Sequence, residues 1–172
     1  MAESADALYR RCLAAADGDG RLPLPSLEGW DTFPFEHDLR VKPLLAPEAL
    51  EPPRKGEDPG QCWRCNRGVE RAIWHDDQWV VSPLDGPSGL PVIVILEPRA
   101  HLDLGDLDDE TAGELGRMLV RVERAVHSVP GVARVHVGRW GEGSAHLHWW
   151  FLARPFGFAQ LSERPVLAAL QQ

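Results

Sequence analysis

The stretch Ser144-Ala145-His146-Leu147-His148-Trp149-Trp150-Phe151-Leu152-Ala153-Arg154 constrains the fold of this chain most. Two histidines stand two residues apart inside an apolar and aromatic run, and the run reads as a buried β-strand. Side chains along a strand alternate between its faces. His146, His148, Trp150 and Leu152 therefore share one face. Ala145, Leu147, Trp149, Phe151 and Ala153 share the other, which is wholly apolar and suited to a core. Two imidazoles buried without partners would be costly. They require ordinary hydrogen-bond partners, a metal, or a site open to substrate.

A second feature lies far away in sequence. Cys62-Trp63-Arg64-Cys65 is a CxxC, the spacing of a zinc knuckle, a redox pair or two unrelated thiols. No second CxxC follows, so a tetrahedral zinc would need ligands from elsewhere. His101, just after the apolar run Leu90–Leu96, and His146 are candidates. Two thiolates and two neutral imidazoles would neutralise Zn²⁺ and close its coordination shell. His148 would then be left free beside the metal.

The chain has 172 residues and a formal net charge of -8. That acidic balance lacks the basic field of most nucleic-acid binders, so bulk nucleic-acid binding is not expected. No segment approaches the ~18 consecutive apolar residues of a membrane span. The acidic start lacks the order of a signal peptide, and a cytoplasmic location is expected. Three cysteines do not make a disulfide framework.

Three regions are expected. Residues 1–60 form an N-terminal helix over 5–16, with Leu8, Cys12 and Leu13 on one side, and then a proline-rich extended arm. The arm carries Trp30, Phe33, Phe35, Val41, Leu44, Leu45 and Leu50, too apolar a set for a free linker. Residues 61–157 form the main domain, and 158–172 a tail. Within the domain, strands are expected at 71–75 and 78–82, joined by an Asp76-Asp77 turn, then at 90–96, 132–140 and 144–154. Glu110 to Val126 is the clearest helix, with Leu115, Met118, Leu119, Val122, Ala125 and Val126 as its apolar stripe and Asp108 as N-cap. The order predicts an α+β domain: an antiparallel sheet of about five strands with one main helix.

Together these elements resemble the histidine triad superfamily of nucleotide hydrolases and transferases. The resemblance rests on Gly141, His146, His148 and Arg154 in the last strand. It rests also on Val92–Leu96, then His101, then Leu104-Gly105-Asp106-Leu107 before the helix, and on the CxxC before the first strand. It covers about residues 61–157. It implies that His148 attacks the α-phosphorus of a nucleotide and forms a covalent nucleotidyl-histidine. It implies a structural Zn²⁺ held by Cys62, Cys65, His101 and His146, as in the galactose phosphate uridylyltransferase branch, and a homodimer. Read from the residues themselves, Ser144, Trp150, Arg154 and Arg139 are the candidate substrate contacts.

The chain departs from that pattern at two places. Trp150 replaces the third histidine, and an indole has one N–H donor and no transferable proton. Glu142 stands where many members have a neutral glutamine near phosphate, and Arg139 is near enough in sequence to pair with it. Two function classes follow. One is a nucleotide hydrolase or nucleotidyltransferase working through His148. The other is a catalytically weak, zinc-stabilised domain that binds a nucleotide or a partner. The intact His148 favours the enzyme.

Overall fold

Asp76 turns the chain as its sequence position suggests. Its carboxylate accepts from the amides of Gln78 and Trp79 at 2.8 and 2.7 Å, and its own amide bonds the Trp79 carbonyl at 3.0 Å. This closes a hairpin between β1 (Trp74–His75) and β2 (Trp79–Pro83). The computed structural model describes residues 5–22, 42–86, 88 and 90–158. The chain divides into two compact units, Met1–Pro52 and Pro53–Gln172.

In the first unit, α1 spans Ala5–Leu13. It stops short of the expected Ala16, and the chain then turns around Asp17, whose carboxylate takes the amides of Asp19 and Arg21. Leu45 and Leu50 are exposed. The side chain of Leu8, and Trp30, Phe33, Phe35 and Val41, lie outside the described residues, as does the tail beyond Phe158.

The second unit is the expected α+β domain. β3 (Ile93–Pro98), β4 (Val132–Gly138) and β5 (Trp149–Pro155) join the hairpin in one antiparallel sheet of order β1-β2-β3-β5-β4. β3 starts after Pro91, which cannot donate to a ladder. A short helix, α2, covers Trp63–Arg67. The long helix α3 covers Asp109–His127, and the Asp108 carboxylate caps it by accepting from the Thr111 amide at 2.8 Å.

The period-3.6 stripe of α3 does what an amphipathic helix must. Leu115, Met118, Val122 and Val126 are buried against Trp79, Val81, Val94, Leu96, Leu147, Phe151 and Ala153. Leu119 and Trp149 pack at the margin of this core, whereas Ala125 remains exposed. The opposite sheet face carries a smaller cluster of Leu90, Ile93 and Leu152, flanked by Leu84, Trp140 and Trp150. The alternation along the Trp-rich strand thus sorts its side chains as expected.

Candidate metal centre and histidine cleft

The last strand begins later than its apolar run implies, and the delay builds the site. β3 and β5 pair from Ile93↔Leu152 to Leu96↔Trp149. Two residues beyond Leu96, Pro98 has no N–H to offer. Residues 144–148 leave the ladder there and are held by other partners. The Ala145 amide bonds the Lys55 carbonyl at 3.0 Å, and the Leu147 amide bonds the Leu102 carbonyl at 2.7 Å. His146 and His148 therefore sit just before the strand and not within it, which corrects the sequence expectation. The carbonyl of Pro98 is met by Nε2 of His146 at 2.9 Å.

That bond fixes His146 as the Nε2–H tautomer and leaves Nδ1 as its lone-pair nitrogen. Nδ1 lies 3.5 Å from Sγ of Cys62 and 3.6 Å from Sγ of Cys65, while Nδ1 of His101 lies 3.4 Å from Sγ of Cys65. All four donor atoms fall within 4.8 Å of one another. For a tetrahedron with Zn–S ~2.3 Å and Zn–N ~2.0–2.1 Å, the S···N edge is about 3.6 Å. The donor set and its spacing fit a zinc ion. His146 is buried, and burial first, with Arg64 and the neighbouring imidazoles of His101 and His148 adding to it, holds its imidazole below the usual histidine range against the pull of the Pro98 carbonyl. It is thus neutral, as a ligand must be. The Cys65 thiol is pushed up to about 11 by desolvation and by Cys62; a bound cation would reverse that direction.

Gly56 lets the chain before the CxxC lie close to it. Its φ is +73°, and a Cβ there would come within 3.2 Å of the Cys62 Cα. This approach brings Lys55 to one wall of a cleft of about 530 Å³, which Cys62, Arg64, Glu97, Ser144, His146, His148 and Trp150 also line. Nδ1 of His148 donates to the His146 carbonyl at 2.8 Å. Nε2 is left with the free lone pair. Trp150 meets the His148 ring edge-on at 6.4 Å between centroids, and Trp140 meets Trp150 in the same way at 6.4 Å.

No protein-family profile and no curated protein sequence matches this chain. Solved structures similar to it include a Hit-like protein involved in cell-cycle regulation from Bartonella henselae, at 18% identity and a TM-score of 0.47, covering 59% of this chain and 79% of that one. They include a hypothetical histidine triad nucleotide-binding protein from Sulfolobus tokodaii, at 18% identity and a TM-score of 0.45, covering 64% and 87%. A hypothetical protein from Leishmania major is similar at 18% identity and a TM-score of 0.42, covering 48% of this chain and 62% of the other's length.

The remaining expected site residues divide. Ser144 lines the cleft with His148. Arg139 instead binds the Asp103 carboxylate, and Arg54 binds the second oxygen of that carboxylate at 2.8 Å and the Gly141 carbonyl at 3.2 Å. Burial opposes the charge on Asp103, but the hydrogen bond from Arg54, the Leu104 amide and Arg139 outweigh it and hold the carboxyl below its ordinary value. Glu142 is exposed, so the expected Arg139–Glu142 pairing gives way to Arg139–Asp103. Arg154 does not line the cleft: it stands six residues along the strand from His148, roughly 20 Å at strand rise, and its guanidinium donates to the Pro155 carbonyl at 3.2 Å.

Sequence reasoning missed Lys55, Arg64 and Glu97. Lys55 sits in a charged stretch where nothing marks it out, and Arg64 is one of the two residues between the cysteines of the CxxC, where the sulfurs draw the attention. Glu97 did carry a signal: it follows Val-Ile-Val-Ile-Leu directly and so continues a buried strand with an acid.

Proposed function

We propose that this chain is a histidine triad enzyme that cleaves or transfers a nucleoside monophosphoryl group through a covalent nucleotidyl-histidine on His148. The observation that carries the reading is the 2.8 Å bond from His148 Nδ1 to the His146 carbonyl, which orients the ring with Nε2 as the nitrogen available for attack in a cleft of about 530 Å³. The Nε2 lone pair attacks the α-phosphorus, and the bond from phosphorus to the leaving group breaks. Positive charge that develops on the ring is stabilised by the His146 carbonyl. Ser144 is placed to donate to a phosphate oxygen. Water or another acceptor then attacks phosphorus, and the N–P bond breaks to restore the imidazole.

Zinc belongs to this reading as a structural ion held by Cys62, Cys65, His101 and His146, where it would fasten α2 and the loop after β3 to the segment bearing His148. The reading includes a homodimer, because exposed apolar side chains flank the sheet. Its direct test is incubation with a panel of labelled nucleotides and mapping of an acid-labile adduct. An adduct on His148 is the expected result. Nucleotide binding with no adduct and no turnover would replace the enzyme with a binding module.

A further inference from the structure

The mechanism just proposed lacks a proton donor. Trp150 occupies the position from which the resemblance would supply one, and its indole cannot. The cleft nevertheless holds a buried acid. Glu97 is 6% exposed and lines the cleft with His148. Glu97 follows Leu96, the last β3 residue paired with β5, and His148 precedes its partner Trp149, so the two residues flank the end of the ladder. Strand alternation puts Glu97 on the face of Ile95, whose partner is Trp150, and Ile95, Trp150 and His148 line the same cleft as Glu97.

The surroundings of this carboxyl suit a group that gains and loses a proton. Arg64 and Arg67 face it from α2, Lys55 from the segment before α2, and His148 from the approach to β5; Ile95 and Trp150 are its apolar neighbours in the cleft. Nε of Arg64 stands 3.4 Å from Glu97 Oε2, and Arg64 is itself anchored by donation to the Gly68 carbonyl at 2.8 Å. Burial pushes the carboxyl up to about 7, against the opposing pull of Arg64 and then Arg67. His148 spends its own N–H on the His146 carbonyl.

We propose that Glu97 is the catalytic acid and base of the His148 cleft. This rests on the covalent reading above. As His148 Nε2 bonds to phosphorus, the P–O or P–N bond to the leaving group breaks, and its electron pair stays on the departing atom. The Glu97 proton passes to that atom, and Arg64 stabilises the carboxylate that remains. In the second step water attacks phosphorus, the N–P pair returns to His148, and Glu97 takes the proton that water gives up.

The test uses the full chain and two esters of one nucleoside 5′-monophosphate. A nitrophenolate leaves without a proton, whereas a simple alkoxide does not. In single-turnover adduct formation, Glu97→Gln should lose about 10²–10⁴-fold on the alkyl ester and far less on the nitrophenyl ester. Glu97→Asp should recover part of the loss. Reaction of the Gln variant with the nitrophenyl ester shows at once that it has folded. Equal losses on both esters would mark a merely structural residue and overturn the proposal, as would no loss on the alkyl ester. If the wild type forms a His148 adduct, those outcomes refute Glu97 alone. If it forms none with either ester, the covalent reading falls and takes this role with it.

Discussion

Glu97 links catalysis to stability through one proton. Its carboxyl lies at about 7 in the folded chain against an ordinary 4.5. The folded state therefore binds more protons than the unfolded state between those values. Its contribution is complete below about pH 4.5 and is lost as pH rises through about 7, an effect of at most about 3 kcal/mol. Chemical denaturation at pH 5.5 and 8 should show greater stability at the lower pH, and Glu97→Gln should remove most of that difference. At His148 the expectation is catalytic: His148→Ala should abolish adduct formation yet keep zinc and fold, since the imidazole is no part of the Cys62–Cys65–His101–His146 set. Trp150→His should raise turnover, measured at saturating nucleotide. His148 was legible because a histidine in an apolar run has few uses. Glu97 is harder to read because a strand-end acid usually faces water, and its burial at the end of the apolar run is what sets it apart.

Among the elements, α3 was legible almost to the residue because its apolar period, acidic first turn and Asp108 cap agree. Asp108→Ala should cost about 1 kcal/mol in denaturant unfolding. The apolar run at β5 begins five residues before the strand itself does. Hydrophobic alternation reports which side chains are buried, not where the ladder ends; here Pro98 and the carbonyls of Lys55 and Leu102 decide that. The same carbonyls swing His146 toward α2. Cys65→Ser should abolish stoichiometric zinc in metal analysis and lower global stability, because one ligand set spans α2, the loop after β3 and the approach to β5. A stoichiometric metal content in Cys65→Ser, or none in the wild type, would contradict this.

For the whole molecule, the α+β class followed from element order alone, but strand order did not, because β5 inserts between β3 and β4. One face invites a partner. Ile73, Trp74 and Val129 are exposed around an apolar groove of about 490 Å³ beside α3, and Val137 is exposed on the edge strand β4. Light scattering at micromolar concentration should give the mass of a dimer, and a monomer mass would end that proposal. Among the described residues no helix is long and apolar enough to cross a membrane.

Cys62 and His146 are 84 positions apart in the chain, yet their donor atoms lie 3.5 Å apart. A local knuckle closes a loop of a few residues and can capture its ion before anything else has formed. Here the loop that must close is most of the domain, and the entropy of closing it is met only by the sheet and α3. A short peptide around the CxxC should therefore bind zinc far more weakly than the intact chain does. With the proposed zinc in that site, ion capture would be a late folding event, and release of the ion would report that the domain as a whole has come apart.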